Sequence, residues 1–574
     1  MRYRTTGCPA VSGRRSLFTA LAWVLSAGIL AVGCTPSDAG PDSVVEGDGP
    51  SQQVAYSAHG MVAAAHPAAT AAGAGILAMG GNAVDAAVAT AFALAVAEPS
   101  MSGLGGRAQL LIHLPDGRVE GIDGSVTFPA AFLALVGVGG GEPSGYGAIG
   151  VPGMVAAMDE ALRRHGTLSL AEVIAPAIRL AEEGVRLGPI EAERLADPNA
   201  GLAEFPATRA LFFHPDGSPL REGELLVQSE LAVTLRAIAQ GGAEDFYRGD
   251  LARRIAADMA EHDGWVGLDD LAQYRAVDME VLRGRYRDAE VVVNSFPSSG
   301  PMLLQALQTL EHFPLEGRVG TPEWGVTVAG ALALAVEDRR ADLGTMEEKV
   351  QTVTSPEWAE RRARDLRQRL EEVQAPLAFG EGAEAWVAVD ATSHLSVADN
   401  GGMVVALTQS LGPGFGSGVV TPGLGFVWAA TLDRMPPPEQ VELGRPVLNQ
   451  SPVLVYREGE PVFALGAAGG SRIPSSLLST LSRLLDQDLP LADAVAAPRV
   501  HPRSDGSIEV EGLDGPGWPA GARESFQRLG AQVEPLTNHA RIHAVERDPA
   551  GGGFVGVADP RRTGSASGPG PFRP

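Results

Sequence analysis

Two consecutive helices written almost wholly in small residues place the tightest constraint on how this chain can fold. The first is expected over Ala68–Met79 and stops at Gly80-Gly81; Asn82, a capping residue, then opens a second over Ala83–Ala97. Neither carries more than a few large side chains on any face. Helices of that kind must pack at close range and be largely buried. The chain has the means to bury them: 574 residues, 45% of them hydrophobic, suffice for a large core or several domains. The 72 glycines and 42 prolines are spread among periodic apolar segments, which excludes collagen, coiled coil and wholesale disorder.

After Glu98-Pro99 comes a glycine-rich turn, Ser102-Gly103-Leu104-Gly105-Gly106, and then two strands, Leu110–Leu114 and Val119–Ile122, about an Asp116-Gly117 hairpin. From Gly150-Val151-Pro152-Gly153 to about Arg285 the chain reads mainly as helix, with amphipathic stretches over Ala171–Glu183 and Asp250–Glu261. Ser355-Pro356-Glu357 opens a charged helix reaching Glu372, and Ala375–Ala385 is a loop. Beyond it the hydrophobic period changes from 3.6 to 2. Ser393–Asp399 alternates, Asn400-Gly401 turns, and Met403–Ser410 continues as a second strand. A strand over Val462–Leu465 runs into the glycine loop Gly466–Gly470 and then a helix over Pro474–Leu485. Interleaved helical and strand blocks make the class α/β or α+β.

The first 33 residues stand apart. Arg2, Arg4, Arg14 and Arg15 form a basic region, and Leu17–Val32 is uncharged, the pattern of a secretory signal. Ala31-Val32-Gly33 before Cys34 is similar to the lipobox of bacterial lipoproteins, in which the cysteine is acylated; Arg14-Arg15-Ser16-Leu17-Phe18 is similar to a twin-arginine signal. The chain is therefore expected to be exported to the periplasm or cell surface and lipid-anchored to a bacterial membrane at Cys34, with residues 34–57 as a tether. Removing the signal also removes Cys8, the only other cysteine, which leaves the mature chain no disulfide, thiol nucleophile or cysteine-based metal site. A formal charge of −25 repels phosphate backbones and argues against a nucleic-acid partner.

Metal and phosphate chemistry find little support. The 11 histidines are scattered, and His539 with His543, four apart, is a weak signal of its own. No Walker loop occurs. Gly103-Leu104-Gly105-Gly106 does not lie between a strand and a helix, and Gly416-Ser417-Gly418 lacks the spacing of a serine-hydrolase elbow. The informative segment is Asp390-Ala391-Thr392-Ser393-His394-Leu395-Ser396-Val397-Ala398-Asp399. A Thr hydroxyl is a poor nucleophile without a base beside it. Cutting the chain just before the Thr supplies one, its own freed α-amine. That chemistry needs a loop and then Thr at the mouth of a strand, which 375–392 provides, although Thr at a strand start is common.

From Gly60 to Gly568 the sequence resembles the γ-glutamyltranspeptidase family of N-terminal nucleophile hydrolases. The resemblance rests on Gly60-Met61-Val62-Ala63 with His66-Pro67, Gly80-Gly81-Asn82-Ala83-Val84-Asp85-Ala86-Ala87, Glu98-Pro99 and Ser102-Gly103-Leu104-Gly105-Gly106. It continues through Gly150-Val151-Pro152-Gly153, Asp270-Leu271-Ala272-Gln273-Tyr274, Pro297-Ser298-Ser299-Gly300, Gly469-Gly470-Ser471-Arg472-Ile473, Ala497-Pro498-Arg499 and Ala558-Asp559-Pro560-Arg561. The family's Thr-Thr-His-x-Ser-Val-x-Asp motif falls on Thr392–Asp399. The resemblance implies a four-layer αββα sandwich and self-cleavage at Ala391–Thr392. The resulting fragments, 58–391 and 392–574, would form a heterodimer. It implies Thr392 as nucleophile, Ser410 as the hydroxyl supporting it, Gly469 and Gly470 as oxyanion-hole donors, and no cofactor.

The positions that would hold a γ-glutamyl group depart from the family pattern. Its carboxylate-binding Arg aligns with Ser125, and losing such a contact in a desolvated site costs about 2–5 kcal/mol. An Asn becomes Gly412, a polar contact becomes Thr431, the acid that meets the ammonium becomes Arg434, and a Ser-Ser pair becomes Leu448-Asn449; Arg107 interrupts a glycine run. Arg434 facing an ammonium is repulsive, whereas Arg434 or Arg107 would suit an anionic substrate. Three readings follow. The chain is a γ-glutamyl hydrolase or transferase on small amides or peptides such as glutathione, an amidase or acylase of different acyl specificity, or a non-catalytic surface-anchored relative.

Overall fold

A computed structural model describes residues 52–135, 143–372, 391–432, 444–515, 517–537, 539–548 and 551–570, all within the unit Val45–Pro574. The signal segment, Cys34, nearly all of the expected tether, the loop Ala375–Ala385 and Arg434 lie outside the described residues. Val54–Ser57, the end of that tether, is an edge strand paired with Gly553–Ala558.

Two seven-stranded sheets make the centre. One runs, edge to edge, Ser565–Ser567, Gly60–Ala64, Ala391–Asp399, Val404–Gly412, Arg107–His113, Val119–Gly124, Val277–Met279. The other runs Val54–Ser57, Gly553–Ala558, Arg541–Asp548, Glu460–Ala468, Val453–Arg457, Ala289–Asn294, Val281–Tyr286. Alternation assigns the faces. In the first sheet Val62, Leu110, Ile112, Leu395, Val397 and Leu407 join the core under the helices Pro67–Ala78, Ala83–Ala97, Leu170–Glu183 and Ser229–Arg248. Their neighbours Met61, Ala63, Leu111 and Ala406 turn the other way and meet Val292, Leu454, Ala464 and Val545 of the second sheet. That sheet's outer face, with Val291, Val453, Leu465 and Ala544, packs under Gly300–Leu310, Pro322–Arg340 and Ile473–Asp486. The order is helix, sheet, sheet, helix: the αββα sandwich that the family resemblance implies.

The two small-residue helices behave as their composition demands. A Cβ at Gly73 would collide with Thr90 Oγ1, so the pair approaches more closely than larger residues would allow. Every residue of Ala83–Ala97 is buried. Its N-terminus is closed by Asn82 and Asp85 in a reciprocal capping box. Asp399, at the far end of the Ala391–Asp399 strand, accepts the Ala83 N–H at 2.7 Å. The strands Val277–Met279 and Val281–Tyr286 interrupt the stretch read from sequence as helical, because pairing with Val119–Gly124 and Ala289–Asn294 overrides local propensity. Among the described residues no helix is long and apolar enough to cross a membrane.

The two sheets approach closely where Gly466, on Glu460–Ala468, faces His394; a Cβ at Gly466 would collide with His394 Cε1. Gly466→Ala should therefore cost about 1–3 kcal/mol through overpacking. Thermal unfolding of the purified protein checks this, and an unchanged midpoint would contradict it.

Candidate active site

Thr392 and Ser410 oppose each other on neighbouring antiparallel strands, and the register shifts between Ala391 and Thr392. A bulge of this kind kinks the chain and re-aims side chains, here at the peptide bond preceding Thr392. Thr392 Oγ1 donates to Ser410 Oγ at 3.1 Å, and Ser410 Oγ donates in turn to the carbonyl of Ala391 at 2.6 Å. Ser410 Oγ also faces the Gly412 N–H at 3.0 Å and Arg107 Nη2 at 3.3 Å. Arg107 is the residue opposite Ser410 on the next strand, so Thr392, Ser410 and Arg107 form one row across the sheet. Gly412 has φ +93°, a conformation glycine adopts without strain, and this brings its N–H onto Ser410.

Two residues further along lies a second row. His394 Nδ1 pairs with Thr408 Oγ1 at 2.8 Å and Nε2 with Ser396 Oγ at 3.1 Å. Burial, with His543 adding to it, holds the His394 pKa well below the ordinary value, so the ring is a neutral link between hydroxyls. Gln109 continues the row to Asp123, which receives Arg445 Nη1 at 3.0 Å and the Ser125 hydroxyl. Ser125 is wholly buried in this network and has no contact with Thr392.

Gly469 and Gly470 follow Glu460–Ala468 with φ +148° and +56° and lead through a short turn into the helix Ile473–Asp486. Gly469 lies against Ala540, whose carbonyl accepts Arg499 Nη1 at 2.6 Å; Arg499 is paired with the buried Asp559 at 2.6 Å. The Ala497-Pro498-Arg499 and Ala558-Asp559-Pro560-Arg561 motifs thus brace this glycine turn. Leu448 and Asn449 are held elsewhere: Arg339 donates to the Leu448 carbonyl at 2.7 Å and to Asn449 Oδ1 at 3.1 Å. Thr431 is buried, with its N–H on the Ala148 carbonyl at 2.8 Å. The structure therefore joins Thr392, Ser410 and Gly412 by direct hydrogen bonds and ties Ser125 and Asn449 to other partners. Among the described residues no three His, Cys, Asp or Glu side chains converge as a metal site requires.

Sequence reasoning missed the layer on the helix side of the Ala391–Asp399 strand. Ser393 Oγ donates to Glu98 Oε2 at 2.7 Å. Glu98 ends the buried helix Ala83–Ala97 and is itself buried. Desolvation, and then the charge of Glu191, push its pKa up to about 7 against the opposing pull of Arg541, Ser393 and Arg194. The available signal was a carboxylate placed directly after a run of apolar residues.

Comparison with known proteins matches this architecture. A family model described as Gamma-glutamyltranspeptidase spans residues 69–569. The chain belongs to the γ-glutamyltranspeptidase family of N-terminal nucleophile hydrolases. Among its relatives, the Acylase ACY 1 proenzyme of Pseudomonas sp. (strain V22) is 37% identical over 485 residues, which is 80% of this chain and 85% of that protein. The Glutathione hydrolase proenzyme of Bacillus subtilis (strain 168) is 31% identical over 552 residues, 90% of this chain and 92% of that one. The crystal structure of cephalosporin acylase from Bacillus halodurans has a TM-score of 0.80 at 30% identity, covering 92% of this chain and 99% of that chain. Relatives of this γ-glutamyltranspeptidase-family chain thus carry both hydrolase and acylase names.

The Glu98 shift has a consequence for stability. The folded state binds this proton more tightly than the unfolded chain, so the stability it contributes is fully present below pH about 4.5 and lost as pH rises to about 7. Glu98→Gln should flatten the fall in melting temperature across that window. An identical fall in the variant would contradict the assignment.

Proposed function

We propose that this chain is an autoprocessed amidase that transfers acyl groups through an acyl-Thr392 intermediate. One observation carries the reading: the Thr392 hydroxyl is bonded to Ser410, which is bonded to the Ala391 carbonyl of the peptide the nucleophile would attack. In maturation Thr392 Oγ adds to the Ala391 carbonyl carbon and the C–N bond breaks, giving an ester. Water hydrolyses it, leaving a carboxylate on Ala391 and a free α-amine on Thr392. That amine then serves as the base. Thr392 Oγ attacks the substrate amide, the Gly469 and Gly470 N–H groups stabilise the oxyanion, and the amine product leaves. Water or a second amine accepts the acyl group. Protein groups suffice for these steps.

The fragments 58–391 and 392–574 would remain together. The Ala391–Asp399 strand pairs with Gly60–Ala64 on one side, and Val404–Gly412 pairs with Arg107–His113 on the other. Cleavage would therefore leave the central sheet shared by both fragments.

The acyl group could be γ-glutamyl, as in the glutathione hydrolase relatives, or another acyl, as in the acylase relatives. The buried, hydrogen-bonded state of Ser125 favours the second, because residue 125 itself carries no guanidinium to clamp an α-carboxylate and the neighbouring Arg445 is paired with Asp123. The same reading places the mature protein outside the cytoplasm, anchored by lipid at Cys34 and acting on small amides or peptides.

Intact mass tests the reading. The wild type should yield two fragments, one beginning at Thr392, whereas Thr392→Ala should remain a single chain; Ser410→Ala should slow cleavage on the order of 10²-fold. Glutathione and a panel of neutral and acidic acyl amides then separate the two acyl readings. A wild type left uncut after prolonged incubation would overturn the proposal.

A further inference from the structure

We propose that Arg107 is the positioning residue that drives self-cleavage, through the Ser410 hydroxyl; this rests on the reading that the chain cuts itself at Ala391–Thr392. A hydroxyl oxygen has two lone pairs and one hydrogen. Around Ser410 Oγ stand three donors, the Gly412 N–H, Thr392 Oγ1 and Arg107 Nη2, and one acceptor, the Ala391 carbonyl, at the shortest distance of the four. Three donors compete for two lone pairs. Arg107 is the longest of these contacts and the only charged one; with donors on its other sides, the Ser410 hydroxyl turns its hydrogen to the Ala391 carbonyl, the one acceptor, and the guanidinium polarises that bond.

Two effects follow. The carbonyl carbon that Thr392 must attack is polarised by a hydroxyl that is itself polarised by a cation, and the oxyanion formed there is stabilised through the same bond. As the C–N bond breaks, the Thr392 proton moves from its resting bond on Ser410 Oγ to the Thr392 nitrogen. Ester formation then balances with no external acid, and water completes the cut.

Arg107 is held where this requires. It opposes Ser410 in the register of the sheet. The residue before it, Gly106, has no space for a side chain: a Cβ would come within 2.7 Å of the Ser410 carbonyl. The Gly106 carbonyl accepts the N–H groups of Gly153 at 2.9 Å and Met154 at 3.1 Å. The backbone that presents the guanidinium is therefore fixed from both sides.

The experiment follows cleavage during cell-free synthesis by intact mass in the wild type, Arg107→Gln and Arg107→Lys, with melting temperatures of all three. Arg107→Gln should cut on the order of 10²-fold more slowly. Arg107→Lys, which keeps the charge but not the fork, should cut within about ten-fold of wild type. Arg107→Gln cutting at the wild-type rate would overturn the inference. So would both variants cutting equally slowly, since Arg107 would then serve packing alone. Normal cutting combined with a raised KM confined to carboxylate-bearing donors would overturn it and reassign Arg107 to substrate recognition. A wild type that never cuts would instead refute the proposed function on which the inference rests.

Discussion

The cross-strand pair of Thr392 and Ser410 is the interaction on which the site depends. The hairpin carrying it, Ala391–Asp399 and Val404–Gly412, occupies the interior of a seven-stranded sheet, with strands from the earlier part of the chain on both sides. A residue at the end of such a strand cannot drift, because each neighbour is fixed by its own ladder. The register shift at Ala391 then turns one peptide out of the regular pattern and brings its carbonyl to the Ser410 hydroxyl. Rigidity around one irregular peptide is what lets two weak oxygen donors hold a defined geometry.

Between the two sheets, apolar and polar residues are separated along the strands. One end is filled by Met61, Leu111, Val292, Leu454 and Tyr456. The other holds three hydrogen-bonded groups, Thr392 with Ser410, His394 with Thr408, and Gln109 with Asp123 and Asn294. Burial at the polar end keeps His394 neutral, so the ring links Thr408 and Ser396 without placing a charge in the row next to Thr392. The low-dielectric surroundings strengthen each satisfied bond and penalise any broken one. The same segregation explains why Gly466 is needed: only a residue without a side chain leaves room for an imidazole in the gap between sheets.

The charge pattern near Thr392 differs on its two sides. Toward the second sheet stands a guanidinium, Arg107, on the Ser410 hydroxyl. Toward the helices stands Glu98, whose carboxyl burial keeps partly protonated near neutrality. Glu98 reaches the Ala391–Asp399 strand through Ser393, the residue next to Thr392, whose side chain points the opposite way because successive strand residues alternate. Cation and carboxyl thus lie on opposite faces of one sheet, the first on Ser410 and the second on Ser393.

Much of this was legible in residue order. The alternation from Ser393 to Asp399, the Asn400-Gly401 turn, the Asn82 cap and the two small-residue helices all appear where local pattern placed them, because each is set by contacts a few residues apart. Thr392 at a strand mouth, Ser410 eighteen residues on and the Gly469-Gly470 turn were readable too, as a motif and its spacing. What local pattern could not reveal is which side chains meet across the sheets. Arg107 against Ser410 and Glu98 beneath Ser393, each about 300 residues apart, Gly466 over His394, and Gln109 against Ser125 depend on strand register and on how sheets and helices stack. A period of two tells which face a residue occupies. Only tertiary packing decides what stands opposite, since that choice is made by the summed burial of both sheets and not by any one segment.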